Sequence, residues 1–255
     1  MVDIQKAVSE LMEELNKGAG KAIFPQPDIM PPQDVSRRLE HSLLTANMSK
    51  EVLLAECRVA RKVQAAVVCV APYYVADAAA FLTGSSVAVC AAVGFPSALM
   101  STEAKAADVH ACVISGASEI DVAINIAAIK SGDYARAEID FLAAVEAAKG
   151  RAIIKAVFEH GSYNDFEKVE VLDIIGRSGV PFIKIQNMTS GHGARREEIH
   201  FVRSILGDSV KIKIDGGVKT LDQAIELFKA GAYRIGLTAT KAVADEDVKY
   251  GNVNK

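Results

Sequence analysis

From about residue 37 onward, short apolar runs recur along the chain, separated by longer segments of a different period. The runs are RLEHS (38–42), VVCV (67–70), VAVCAAV (87–93), EIDVAIN (119–125), AIIKAVF (152–158), PFIKIQ (181–186), VKIKI (210–214) and YRIG (233–236). Their length and their β-branched content suit buried strands. Between them lie alanine-rich or charged stretches with helical spacing, such as YARAEIDFLAAVEAAK and LDQAIELFKAG. Eight strand candidates, seven of them clearly separated by helix candidates, predict an α/β fold with a parallel sheet closed into a (β/α)8 TIM barrel. A doubly wound open sheet is the runner-up, but no GxGxxG turn follows a first strand to favour it.

The N-terminal segment has another character. Residues 4–16, IQKAVSELMEELN, place Ile4, Val8, Leu11, Met12 and Leu15 at helical spacing, and Asn16-Lys17-Gly18 makes a stop. GAGKAIFPQPDIMPPQD follows, with Pro25, Pro27, Pro31 and Pro32, and reads as an extended linker. The expected organisation is an amphipathic N-terminal helix over 1–17, a linker over 18–34 and one catalytic barrel over 35–255.

Length and charge support this outline. A chain of 255 residues fits one such barrel, which typically fills ~250. A net charge of −3, with no dense basic run, gives no ground for expecting nucleic acid as a partner. Cys57, Cys69, Cys90 and Cys112 form no CxxC pair and lie among apolar residues, which suits free thiols in a reducing compartment. No apolar run reaches the ~18 residues of a membrane span, and the N-terminus lacks the layout of a secretory signal. A cytoplasmic location, with no membrane partner, is the expectation.

Candidate chemistry comes from strand parity, because side chains alternate faces. In PFIKIQ, Ile183 and Ile185 share one face, and Phe182, Lys184 and Gln186 the other. If the isoleucines pack under the helices, Lys184 points into the barrel. The same parity turns Lys211, Lys213 and Asp215 inward, as it does Glu119, Asp121 and Asn125, and Lys155 with Glu159. Barrel interiors are ordinarily filled by branched apolar residues, so four strands aiming charges at one interior need a reason. One reason is a buried ion-pair network. The other is Schiff-base catalysis: an amine must lose its proton to attack a carbonyl, and both desolvation and a second cation nearby favour that loss. A carboxylate alongside would move protons. DGGVKT (215–220) after the seventh strand and IGLTAT (235–240) after the eighth occupy the loops where barrels often hold phosphate.

These residues resemble the deoxyribose-phosphate aldolase family. The likeness runs from about residue 37 to 240 and rests on LEHSLL, VCVAPYYV, AAVGFPSA, ASEIDVAINIAAIKSGDY, FIK, KIDGG and AGAYRIG, in that order. The resemblance implies a metal-free class I cleavage of 2-deoxyribose 5-phosphate to acetaldehyde and glyceraldehyde 3-phosphate, with no cofactor. It makes Lys184 the Schiff-base lysine, Lys213 the lysine that tunes it and Asp121 the proton relay. It places Lys155, Cys69, Glu40, Gly216, Gly217, Gly236 and Thr238 about the substrate.

The chain also departs from the family pattern. Ile185-Gln186-Asn187-Met188 replaces a Thr-Ser-Thr-Gly type run, and Asp215 stands where Ser or Ala precedes the double glycine. Thr238-Ala239 replaces a pair of serines, and Glu40 replaces an aspartate. The alternatives are therefore a Schiff-base aldolase for a different aldehyde or sugar, with Arg195 and Arg196 supplying charge or merely opening a solvated helix, and a catalytically silent binding barrel. The N-terminal helix has two readings: a cap or subunit contact on the barrel, or a peptide that targets a bacterial microcompartment shell. His41, His110, His160, His192 and His200 show no metal-ligand spacing, so no metal is expected. Homo-oligomerisation, a dimer by general expectation, completes the picture.

Overall fold

The computed structural model describes residues 34–188 and 191–253. The expected N-terminal helix, and the linker up to residue 33, lie outside the described residues. Among the described residues there are eight strands: β1 Leu39–Leu43, β2 Val67–Val70, β3 Ala88–Val93, β4 Glu119–Ala123, β5 Ile153–Glu159, β6 Phe182–Gln186, β7 Lys211–Asp215 and β8 Arg234–Leu237. Every neighbouring pair is parallel, and β8 pairs with β1, so the sheet closes in chain order. This is the expected (β/α)8 barrel, with each strand within a residue or two of its apolar run.

The helices are α1 Lys50–Val63, α2 Val75–Leu82, α3 Thr102–Ile114, α4 Ile126–Lys130, α5 Tyr134–Ala148, α6 Asp165–Ser178, α7 Arg196–Leu206, α8 Leu221–Lys229 and α9 Thr240–Val253. Their starts carry local signals. Ser49 and Ser101 accept from the backbone N–H groups of Val52 and Ala104, and α6 and α8 open with capping boxes, Asn164 with Glu167 and Thr220 with Gln223. Such caps satisfy N–H groups that a helix start leaves unpaired.

Parity explains the two layers of core. Ile120, Val122, Ala156, Phe158, Ile183, Ile185, Ile212 and Ile214 face outward and are fully buried beneath the helices. The inward face carries the small cluster Val67, Cys69, Cys90 and Ala92 on one side and charged groups on the other. One expected inward residue leaves the pattern. Asn125 lies past the end of β4 and caps α4, accepting from the Ala128 N–H at 3.1 Å. A short polar side chain at a strand-to-helix junction is better used on the free N–H groups of the helix than on the barrel axis.

Candidate active site

The inward charges form one connected cluster. At its base, Arg234 from the start of β8 contacts both carboxylate oxygens of Glu119 at 2.8 and 2.7 Å and donates to Glu40 at 3.1 Å. Above them the Lys155 ammonium meets Glu119 at 2.7 Å, Glu40 at 3.0 Å and Asp121 at 3.2 Å. Lys213 reaches Glu40 at 2.6 Å and Asp121 at 2.8 Å. Lys184 lies beside Lys213 in the register of β6 and β7, within 3.0 Å of Asp121 and 2.9 Å of Asp215. Among the described residues, four cations thus face four carboxylates, Glu40, Glu119, Asp121 and Asp215, in space almost closed to water. That balance matters, because one unpaired charge in such a place costs several kcal/mol.

The ion pairs decide the protonation states. Burial pushes Glu40 up, but Lys155 and Lys213 outweigh it and hold its carboxyl down at about 2. Burial likewise opposes ionisation of Asp121, yet Lys155, Lys213 and Lys184 keep it far below the usual carboxylate range. Lys184 itself corrects the sequence expectation. Desolvation and Lys213 do pull its proton off, as anticipated, but Asp215 and Asp121 more than offset them, and the free site holds Lys184 as an ammonium. The strand pattern reveals the cation on the neighbouring strand, while the two carboxylates converge from strands distant in sequence.

The pairing of Lys184 is one of proximity: its Nζ is fully buried and makes no aligned hydrogen bond to either carboxylate. Phe95, from the loop after β3, lies across it with the ring centre 5.2 Å from Nζ.

Cys69 and Cys90 are partners in the β2–β3 register and both donate to Asp121, at 3.7 and 3.2 Å. Among the described residues, Cys69, Cys90 and Asp121 are the one group of metal-type donors that lie within 4.8 Å of one another. The chemistry around them favours a hydrogen-bond network over a cation site. Burial pushes the Cys90 thiol well up, so it keeps its proton, and three ammonium groups already crowd Asp121.

The remaining expected residues separate. Glu40 is fully buried beneath Lys213 and serves the cations of the cluster. Gly216 and Gly217 have φ of +117° and +73°, and the loop after β6 closes on them: the Ala194 N–H donates to the Gly216 carbonyl at 3.0 Å. A Cβ on Gly217 would lie 3.1 Å from the Cα of Gly193, so the bare backbone is required for this approach. Gly236 makes room for a neighbour: a Cβ there would sit 1.8 Å from Asp215 Oδ1, which occupies the space expected for substrate. Thr238 is exposed just past the end of β8. Lys211 has the inward parity but lies exposed at the start of β7, 4.5 Å from the centre of the Tyr233 ring. Arg196 pairs with Glu226 at 2.9 Å on the solvent side, the bland alternative of the two.

At the C-terminal ends of the strands, Gln186 donates to Glu159 at 2.8 Å and Asn187 to Glu198 at 2.6 Å. These two residues, where the chain leaves the family pattern, are buried, and each is bonded to a carboxylate. Sequence reasoning does not single out Arg234, Cys90 or Phe95. The signal for Arg234 is the parity that exposed Lys213, a charge alternating with isoleucine in a short strand.

Comparison with known proteins agrees with this geometry. A model described as histidine biosynthesis protein matches residues 139–251, less than half of the chain, which span β5 to β8. A deoxyribose-phosphate aldolase of Bacillus cereus (strain AH187) is 36% identical over 216 residues, covering 85% of this chain and 97% of the relative. Among solved structures, "QR15, an Aldolase" superposes with a TM-score of 0.82 at 27% identity, covering 87% of this chain and 99% of that one. The structure titled as the unique tetrameric structure of deoxyribose phosphate aldolase from Aeropyrum pernix superposes at 0.79 with 20% identity, covering 92% and 97%, and so shares the fold. A closed barrel with paired lysines around a buried aspartate, and this identity over nearly the whole length of the relative, place the chain in the deoxyribose-phosphate aldolase family.

Proposed function

We propose that this chain is a class I aldolase, a lyase that cleaves 2-deoxyribose 5-phosphate reversibly to acetaldehyde and glyceraldehyde 3-phosphate through a Schiff base on Lys184. The observation that carries the proposal is the fully buried Lys184 Nζ, on the strand beside Lys213 and within 3.0 Å of Asp121. Lys213 and Lys155 hold Asp121 ionised, and Lys213, a second cation beside Lys184, opposes its charge. Phe95 and the Cys69–Cys90 side of the barrel give a small apolar lining suited to an acetaldehyde-sized fragment.

One observation favours a second reading, an aldolase of the same chemistry for an aldehyde or sugar without phosphate. Asp215 brings negative charge to the mouth, at the loop expected to hold phosphate, and would repel a dianion. A steady-state cleavage assay with 2-deoxyribose 5-phosphate against unphosphorylated deoxyribose separates the two. The first reading expects a large preference for the phosphate ester, the second none. Cleavage of neither, with no covalent adduct, would leave the catalytically silent barrel.

The chain is further proposed to act as a homo-oligomer in the cytoplasm, a dimer by default, although the Aeropyrum pernix structure is titled tetrameric. Light scattering of the purified protein tests this. No helix among the described residues is long and apolar enough to cross a membrane. Residues 1–17 are proposed to serve outside the catalytic cluster, at a subunit contact or as an address to a microcompartment shell. Deletion with a shell-association assay distinguishes these.

A further inference from the structure

Two carboxylates lie within reach of the Lys184 amine, and they are not equivalent. Asp121 is fully buried and fully engaged. Its Oδ2 faces Lys184 at 3.0 Å and Lys213 at 2.8 Å, and its Oδ1 faces Lys155 at 3.2 Å and accepts from Cys90 at 3.2 Å. Protonating Asp121 would leave Lys155 and Lys213 short of a counter-charge in a dry interior, which is expensive. Asp215 is differently placed. It ends β7 at the mouth, and its side chain is 14% exposed where those of Asp121 and Glu40 are fully buried. Its Oδ2 lies 2.9 Å from Lys184 Nζ, its Oδ1 accepts no hydrogen bond from the described residues, and Lys213 is 3.7 Å away. Packing against Gly236 keeps it from swinging toward β8. Further from the amine, Cys69, Glu40, Glu119 and Arg234 complete the charged and titratable groups facing this end of the cluster.

We propose that Asp215 is a further catalytic carboxylate alongside Asp121, the group at the mouth that carries protons between Lys184 Nζ, the carbonyl oxygen of the substrate and bulk water while the Schiff base forms. The inference rests on the Schiff-base reading of Lys184. Asp215 first takes a proton from the ammonium, freeing the lone pair. As the nitrogen–carbon bond forms and the carbonyl π bond breaks, Asp215 returns that proton to the oxygen. It then takes a second proton from the nitrogen and gives it to the hydroxyl, which leaves as water. Three protons on nitrogen become one on the iminium and two on water, and Asp215 ends as it began, a carboxylate. Proton transfer by a placed side chain typically contributes about 10²–10⁴-fold.

The test measures the rate of Lys184 adduct formation with acetaldehyde, trapped by cyanoborohydride, across pH. Asp215→Asn keeps the packing against Gly236 and removes the carboxylate. The expected result is a rate lower by about 10²-fold or more at every pH measured, although loss of the carboxylate leaves Lys184 easier to deprotonate. In Asp215→Ala, added formate should restore part of the lost rate. If Asp215 serves only as an ion-pair partner, Asp215→Asn would move the profile to lower pH and raise the rate at neutral pH, which overturns the proposal. Adduct formation in the wild type combined with failure of formate rescue counts against it as well. No adduct in the wild type would instead remove the Schiff-base reading on which it rests.

Discussion

Replacing Lys155 by methionine removes a cation from the middle of the barrel while keeping much of its volume. Lys155 Nζ touches Glu119, Glu40 and Asp121 at 2.7 to 3.2 Å and has no exposure. The loss is not three times that of one ion pair. Lys213 still serves Glu40 and Asp121, and Arg234 still serves Glu119, so the cluster goes from four cations against four carboxylates to three against four. One orphaned buried charge costs roughly 3–5 kcal/mol, a large part of the 5–15 kcal/mol that typically holds a domain folded. With a urea m-value near ~3 kcal/mol/M, the midpoint should fall by about 1–1.7 M.

The pH dependence has a definite sign. An orphaned carboxylate has its folded-state pKa raised above the unfolded value, so the penalty is full at pH 8 and shrinks as acid protonates it. Urea midpoints of Lys155→Met and wild type at pH 8 and pH 5, followed by circular dichroism, measure both effects. Lys50→Met, which breaks an exposed pair with Asp77, is the control and should leave the midpoint in place. A loss below about 1 kcal/mol for Lys155→Met, or one that is the same at both pH values, would refute the charge-balance argument.

Three further outcomes follow from the same cluster and its frame. Glu40 has its folded-state pKa depressed to about 2 from 4.5, so its contribution is present above pH 4.5 and lost as pH falls toward 2; acid unfolding of Glu40→Gln should be less steep in that window than that of the wild type. Gly236→Ala forces a Cβ to within 1.8 Å of Asp215 and should cost about 1–3 kcal/mol in urea unfolding, most of it recovered in Asp215→Ser/Gly236→Ala; an undiminished cost in the double variant would mean the clash lies elsewhere. All eight strands fall between Leu39 and Leu237, so removing residues 1–20 should leave the cleavage rate unchanged, and a protein that no longer folds would give that segment a structural role.

Much of the barrel was legible because its information is local. A strand buried beneath helices shows as isoleucine or valine at every second position, and PFIKIQ, VKIKI and EIDVAIN announce both the element and its facing. The same alternation placed Lys184, Lys213, Lys155 and Asp121 inside. What escaped was the convergence of distant strands. Lys155 and Glu40 meet across 115 positions of sequence, as do Arg234 and Glu119. No local pattern says that Glu40 lies under the lysines, that Asp215 turns back to Lys184, or that Gly236 exists to receive Asp215. Asn125 shows the complementary limit: strand parity does not hold past the strand end, where a helix start claims the side chain. The expected neutral state of Lys184 failed for the same reason as the first group. Burial and one neighbouring lysine were visible, and the two opposing carboxylates were not.

The central claim is that Lys184, among several buried lysines, is the one that reacts. Incubation with acetaldehyde or 2-deoxyribose 5-phosphate and borohydride, followed by peptide mass mapping, tests it most directly. A single reduced adduct on Lys184, absent in Lys184→Arg, is the predicted result. An adduct on Lys155 or Lys213 with Lys184 unmodified, or no adduct under conditions of active cleavage, would contradict the account.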